Sequence, residues 1–288
     1  MVEVVLVKVG IIGVGNIGEA LLRGVLRARV FSPEDLLISD IDVAKVEKIK
    51  NELGVVVCRS NDELASRADV IVIAVKPHDV ANVLRDIAAA AEGKTIISVA
   101  AGVSTASIEA ALKGGGVETP RVVRVMPNIA CVVGAAASVV CKGAYADERD
   151  ENVAKQIFGA VGSVLTADEK DMDVITGLSG SGIAFLAIAI EALADGAVHE
   201  GLPRSIAVRL AAQVAEGAAK MIISGKRPAE VKELITSPGG TTIAGIRALE
   251  EKCVRAAFMD AVIKATRRAK EIAKLLETLL PSKGQEEV

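Results

Sequence analysis

A doubly wound α/β sheet followed by an all-α half is the fold class predicted for this chain, and three observations predict it. A glycine turn, Gly13-Val14-Gly15-Asn16-Ile17-Gly18, stands between a strand-like apolar run and a helix-like one. Strand and helix patterns then alternate to about Thr166, around a continuous apolar strand that runs from Asp69 to Val75. After about Asp168 the strand-like runs stop and a 3.6-residue periodicity takes over. Strands alternating with helices imply a parallel sheet with helices on both faces. The predicted division is a dinucleotide-binding domain, 1–166, and a helical domain, 167–288.

Taken in order, Val4 to Ile12 reads as the first strand, broken by Lys8 and Gly10, and Glu19 to Leu26 as the helix after the turn. Leu36 to Ser39 and Val55 to Val57 read as the second and third strands. Ser60-Asn61-Asp62-Glu63 has the spacing of a capping box and starts a short helix. The Asp69–Val75 run lacks polar alternation, the mark of a central parallel strand buried on both faces. Pro77 ends it and begins a helix from about His78 to Ala90. Thr95 to Val99, Val122 to Met126 and Ala137 to Cys141 complete the predicted strands, and Gly114 to Gly116 reads as a loop because no strand leads into it. In the second half helices are predicted over Ile183 to His199, from Pro203 to about Ile223, from near Pro228, over Thr242 to about Leu249, and over Lys252 to about Leu280. The polar end, Pro281 to Val288, is expected to fray. The long apolar helices exceed what one thin layer covers, which suggests a helical homodimer interface.

Composition bounds the function. The 288 residues carry a net charge of −3, which offers no basic field for nucleic acid. With no Trp, one Tyr and four Phe there is no stacking platform for single strands either. Cys58, Cys131, Cys141 and Cys253 are widely spaced, and His78 and His199 stand alone, so no metal site is expected. Reduced, buried cysteines of a cytoplasmic protein are the simplest reading. Met1-Val2-Glu3 lacks a basic n-region, so no signal peptide is expected. Ile183 to Ile190 is the most membrane-like run. Glu191 and Asp195 end it too early to span, so it reads as a buried core or interface helix.

The chemistry begins at the fingerprint. Gly13 makes the tight turn, Gly15 lets a pyrophosphate touch the backbone, and Gly18 lets the helix pack close to the strand. The free N–H groups of Asn16 and Ile17 at the helix start would then face phosphates. Asp40 stands 22 residues beyond Gly18, at the end of the second strand. An acid there either bonds the adenosine ribose hydroxyls, favouring NAD(H) over NADP(H), or caps the next helix beside Asp42. Lys76, at the end of the central strand, is either a ligand for a cofactor or substrate oxygen or simply the first solvated residue. Ala100-Ala101-Gly102 ends the next strand with side chains small enough to leave room for a nicotinamide ring. Asn128 offers an amide to the same crevice, or serves its turn. Thr236-Ser237-Pro238-Gly239-Gly240-Thr241-Thr242 precedes a helix. It reads either as an anion nest for a substrate carboxylate, with Thr242 beside a substrate nitrogen, or as a plain helix cap. Gly177-Leu178-Ser179-Gly180-Ser181-Gly182 would let the Ile183 helix approach another backbone closely. No histidine relay accompanies these segments, since His78 and His199 read as helix-surface residues. A protonated imine, already electrophilic at carbon, is a substrate that needs little proton help.

Together these residues resemble pyrroline-5-carboxylate reductases over about Lys8 to Lys274. The resemblance rests on Gly13-x-Gly15-x-x-Gly18, Ala74-Val75-Lys76-Pro77, Ala100-Ala101-Gly102-Val103 and Met126-Pro127-Asn128. It continues through Thr176 to Gly182, Glu191 to Gly196, Gly201-Leu202-Pro203 and Thr236 to Thr242. It implies a Rossmann-type doubly wound sheet followed by an all-α helical dimerisation domain, with dimers that can assemble into decamers. It further implies that Asn61, Val75, Lys76 and Pro77 touch the cofactor and that Ala100 to Gly102 border the nicotinamide. Gly239, Gly240, Thr241 and Thr242 would hold the pyrroline carboxylate, with Ser237 and Thr242 the candidate catalytic hydroxyls. Three departures stand out: Asn128-Ile129-Ala130 where the family continues Asn-Thr-Pro, Gly182-Ile183-Ala184-Phe185 where it reads Gly-Pro-Ala-Tyr, and Asp40 where many members have a small or basic residue.

The expected activity is NAD(P)H-dependent reduction of 1-pyrroline-5-carboxylate to L-proline, with no nucleic-acid or membrane partner. The rival readings are a reductase of a related cyclic imine on the same scaffold and a nicotinamide-binding regulatory protein without turnover.

Overall fold

A computed structural model describes residues 7–278; the predicted strand residues Val4 to Leu6 and the polar end Pro281 to Val288 lie outside them. By compactness the chain forms two units, residues up to Gly180 together with those from Ala265 on, and Ser181–Lys264.

The first unit is built on β1 (Val9–Ile12), β2 (Leu36–Ser39), β3 (Val56–Val57), β4 (Val70–Ile73), β5 (Thr95–Ser98), β6 (Arg121–Met126), β7 (Ala136–Lys142) and β8 (Gly162–Thr166). They form one sheet in the order β3-β2-β1-β4-β5-β6-β7-β8. The order reverses between β1 and β4, which is where open α/β sheets leave a crevice for ligands. β1 to β6 are mutually parallel, but β7 runs antiparallel to β6, and β8 is parallel to β7. The wholly parallel sheet expected from the alternation is therefore corrected at its far edge. Only a one-turn helix, Ile129–Val133, joins β6 to β7, and a parallel crossover needs a dozen residues or more.

Two apolar layers clothe the sheet, because successive strand side chains point to opposite faces. Val9, Ile11, Ile38 and Val72 pack with Leu21, Leu22 and Val25 of α1 (Asn16–Arg27) and with Ile157 and Phe158 of α6 (Glu148–Gly159). Ile12, Leu37, Ile71 and Ile73 pack with α3 (Asn61–Arg67), α4 (Val80–Ile87) and α5 (Thr105–Gly114) through Leu64, Leu84 and Ile108. Each such side chain stabilises the fold by roughly 1.5–3 kcal/mol. The remaining helix of the sheet, α2 (Val43–Leu53), is capped by Asp42 at Lys45 N and stopped by Gly54 in the left-handed region. Asp150 at the base of α6 is fully buried, and Arg121 satisfies it with two N–H donors at 2.7 and 3.0 Å.

α7 (Met172–Ile175) runs through a π-helical turn, Thr176–Gly180, into α8 (Ser181–His199). The small-residue segment is thus part of a helix. A Cβ on Gly177 would stand 2.8 Å from the Thr266 amide nitrogen, which is the close approach its glycine allows. The second unit continues with α9 (Arg204–Ile223), α10 (Pro228–Leu234) and α11 (Thr241–Glu251), and α12 (Val254–Glu277) begins in it. Ala194, Ala207 and Ala211 are buried where α8 meets α9, whereas Leu186, Ile188 and Leu193 are more than half exposed. α8 is therefore not a buried core helix within a single chain. The continuous helical run Glu169–His199 is long and apolar enough, by length and composition alone, to cross a membrane, which corrects the expectation that Glu191 and Asp195 shorten it too far. Cys58, Cys131 and Cys141 are buried as expected, but Cys253 is exposed.

Candidate active site

The site is made by strand ends held in register. Ile12 pairs with Ser39 and Ile73, and Ile73 pairs with Ser98, so four strands finish at one edge of the sheet. Gly13, Asp40, Ala74 and Val99 all lie just beyond it. Backbone bonds fasten these turns: Gly13 N donates to Ser39 O at 2.8 Å and Ala74 N to Ile12 O at 2.8 Å.

A cleft of about 620 Å³ opens along this edge. Its floor is the glycine turn, with Gly13, Gly15, Asn16 and Ile17 on its surface. Gly13 has φ +93°, a conformation L side chains rarely adopt. A Cβ on Gly15 would meet nothing within 4 Å, so nothing in the protein itself demands glycine there. A Cβ on Gly18 would collide with the Gly13 carbonyl oxygen, so Gly18 permits packing and does not line the cleft. α1 starts without a side-chain cap, leaving the first N–H groups of the helix open toward the cleft. This cradle fits a pyrophosphate: it offers donors, positive dipole and, at Gly13 and Gly15, no side chain.

Asp40 lies on the wall. Its Oδ2 accepts from Val14 N at 2.7 Å and its Oδ1 from Asp42 N at 2.9 Å. The helix-cap alternative is resolved, because Asp42 caps α2 and Asp40 instead ties the end of β2 to the glycine turn. Asn61 also lines the cleft with both ends engaged: Ser39 Oγ donates to its Oδ1 and its Nδ2 donates to Asp86 Oδ2, each at 2.9 Å. Val75, Lys76 and Pro77 follow β4 along the wall, and Ala100 and Ala101 follow β5. Lys76 is exposed, and it is the only cation among the described residues that line the cleft.

Besides Gly18, two predicted contacts lie off the cleft surface. Gly102, at φ +77°, is buried beneath α12, where a Cβ would stand 3.1 to 3.3 Å from Leu276, Ala273 and Ile272. Asn128 caps the short helix before β7 at Ala130 N and donates to Ser179 O at 3.2 Å, so its turn role is the one realised. The neighbouring Ile129, by contrast, does line the cleft.

The lining also holds Ile41, Asp79, Asn82, Val83 and Asp86, which belong to no motif in the sequence. Positions 79, 82, 83 and 86 follow the i, i+3, i+4, i+7 rule and so share one helical face. Ile41 is wholly exposed between two aspartates.

In the second unit, Gly239 takes φ +67° and Gly240 N donates to Ser237 O at 3.1 Å. The turn delivers Gly240 as the N-cap of α11 with no side-chain capping bond. The first-turn N–H groups of Thr241 and Thr242 are therefore available to an anion. Ser237 and Thr241 are exposed and Thr242 is half-buried.

Residues 169–272 match the family model described as pyrroline-5-carboxylate reductase dimerisation, and residues 8–102 match one described as NADP oxidoreductase, coenzyme F420-dependent. A pyrroline-5-carboxylate reductase of Methanosarcina acetivorans is 45% identical over 93% of this chain and 98% of its own length. One from Arabidopsis thaliana is 41% identical over 92% of this chain and 95% of its own. Among solved structures, the reductase of Coxiella burnetii superposes with TM-score 0.86 at 32% identity, covering 93% of this chain and 98% of that one. The Plasmodium falciparum enzyme with NADP bound gives TM-score 0.79 at 31% identity, covering 93% and 98%.

Proposed function

Because this chain belongs to the pyrroline-5-carboxylate reductase family, we infer that it is an NAD(P)H-dependent oxidoreductase reducing 1-pyrroline-5-carboxylate to L-proline. The observation that carries the reading is the uncapped glycine cradle at the edge of β1, within a chain that matches these reductases over nine-tenths of its length.

The roles of individual residues are our proposal. When bound, the reduced nicotinamide supplies the hydride that attacks the imine carbon. The open N–H groups of Gly15, Asn16 and Ile17 hold the pyrophosphate, with Gly13 making the turn and Gly18 letting α1 pack close, and Asp40 and Asn61 hold the adenosine ribose. Val75, Lys76, Pro77, Ala100 and Ala101 form the wall along the nicotinamide half, with Gly102 and Asn128 supporting it from behind. The N–H groups after Gly239 and Gly240 hold the substrate carboxylate. The Thr242 hydroxyl stands beside the ring nitrogen, where it orients the charge that the hydride neutralises, and Ser237 shapes the turn. Positioning and fixed dipoles then supply most of the catalysis, without a covalent intermediate.

NADH is the cofactor we assign, since a 2′-phosphate near Asp40 would meet a carboxylate, while the only cation among the described lining residues, Lys76, stands at the end of β4. Nucleotide binding is assigned to 1–166 and dimerisation to 167–288, in a cytoplasmic homodimer that can stack into a decamer. The apolar face of α8 is read as buried against a second copy, not in a membrane. Incubation with pyrroline-5-carboxylate and NADH, followed by chiral chromatography, tests the activity: L-proline formed mole for mole with NAD supports it, and NADH consumed without proline overturns it.

A further inference from the structure

One stripe of the cleft wall lies outside both the glycine fingerprint and the segments that match the family pattern. Asp79, Asn82 and Asp86 run along one face of the helix after Pro77 and line the cleft. Seven residues of helix span about 10 Å, so the stripe reaches well along the wall. Asp86 can be placed within it. Ser39 Oγ donates to Asn61 Oδ1 and Asn61 Nδ2 donates to Asp86 Oδ2, each at 2.9 Å. Asp86 is therefore two hydrogen bonds from the residue that precedes Asp40, at the β2 end of the cleft. The only cation of the described lining, Lys76, stands instead at the end of β4.

We propose that Asp86 is a second cofactor-selecting residue, acting with Asp40 against a phosphate on the adenosine ribose. This rests on the cleft being the nicotinamide-cofactor site. A ribose hydroxyl donates to a carboxylate, whereas a phosphate has about −1.5 to −2 charges and is almost purely an acceptor. Two carboxylates at one end of the cleft thus reject it by repulsion and by leaving its oxygens unpaired. Asp86 has a positioning role as well, since its carboxylate fixes which way the Asn61 amide faces.

The two roles separate by substitution, and exposure of Asp86 makes it tolerant of change. Asp86→Asn keeps an oxygen that accepts from Asn61 and removes the charge. Asp86→Ala removes both. KM and kcat are measured with NADH and NADPH for the wild type, both variants and Asp40→Asn, together with direct cofactor affinities from nicotinamide fluorescence. Asp86→Asn is expected to improve the NADPH-to-NADH ratio of kcat/KM by about three- to tenfold through a lower KM for NADPH. Asp86→Ala is expected to raise KM for both cofactors with kcat held within about twofold. A ratio that stays put in Asp86→Asn, or moves only because NADH is used less well, overturns the proposal. A wild type that prefers NADPH strikes the assignment of NADH on its own, because the shift caused by Asp86→Asn is read against whatever ratio the wild type has.

Discussion

The carboxylate of Asp40 accepts a hydrogen bond from Val14 N at 2.7 Å, so the end of β2 and the glycine turn after β1 are held as one piece. Val14 is fully buried. The acid assigned to the ribose therefore also satisfies a peptide group that has no access to water. Asp40→Ala is expected to lower stability by about 1–3 kcal/mol, the cost of an unmade buried bond, besides weakening NADH. Urea unfolding and NADH affinity measured on the same sample check both effects.

Gly15 and Gly18 should separate binding from folding. A Cβ at Gly15 meets nothing within 4 Å, so Gly15→Ala is expected to leave the melting temperature unchanged. Its cofactor KM should rise by about tenfold or more, because the methyl occupies the pyrophosphate's place. Gly18→Ala drives the same methyl into the Gly13 carbonyl and is expected to destabilise by at least about 2 kcal/mol. Thermal unfolding beside cofactor titration distinguishes the two.

Much of this could be read from the residues, and the reasons for the rest are specific. β1 and β4 are continuous apolar runs because both faces are covered, and the glycine turn announces the β1 edge. β8 leaves no strand signal in the sequence because it is a partly exposed edge strand, GSVLT, without a clean period. The reversal at β7 depends on the length of its connection, and Asn128 to Gly134 carries no helix or turn pattern strong enough to give it away. The polar stripe of α4 is invisible in the sequence because Asp79, Asn82 and Asp86 alternate with buried Val80, Leu84 and Ile87, and so resemble an ordinary solvated face. Asn128 and Gly102 sit at the right strand ends, but their partners, Ser179 and α12, lie about 50 and 170 residues further on and no local pattern reveals them.

Thr242→Ala should lower kcat by about ten- to a hundredfold while the cofactor KM stays within about twofold, since the hydroxyl acts on the substrate nitrogen. Steady-state kinetics at saturating NADH, with the imine varied, measures this. Unchanged kcat removes Thr242 from the chemistry.

Glu151 links α6 to the sheet edge through Thr166 at 3.0 Å and Lys142 at 3.2 Å, and it pairs with Lys155 of its own helix at 2.5 Å. These donors, Lys155 foremost, hold its carboxyl below the usual glutamate range. A depressed carboxylate stabilises the fold fully above its unfolded value, about pH 4.3, and the contribution is lost as pH falls through the lower folded value. Wild type should therefore lose its advantage over Glu151→Gln on acidification from about pH 6 to pH 3. Urea midpoints of the two proteins across that range test it, and a constant gap contradicts it.

Leu186, Ile188 and Leu193 of α8 are 60%, 66% and 56% exposed in one chain. Ile188→Asp is expected to convert a dimer or larger assembly to monomer, as the charge cannot be buried unpaired against a second copy. Sedimentation velocity across a concentration series reads the outcome.

The most direct test is the loss of nicotinamide absorbance with purified protein and pyrroline-5-carboxylate, run in parallel with NADH and NADPH. Oxidation that requires the imine, with NADH at least as fast as NADPH, is the expected result. Cofactor that binds in the cleft but is not consumed with this imine would contradict the reductase assignment and direct attention to the altered residues at Ile129 and Ile183.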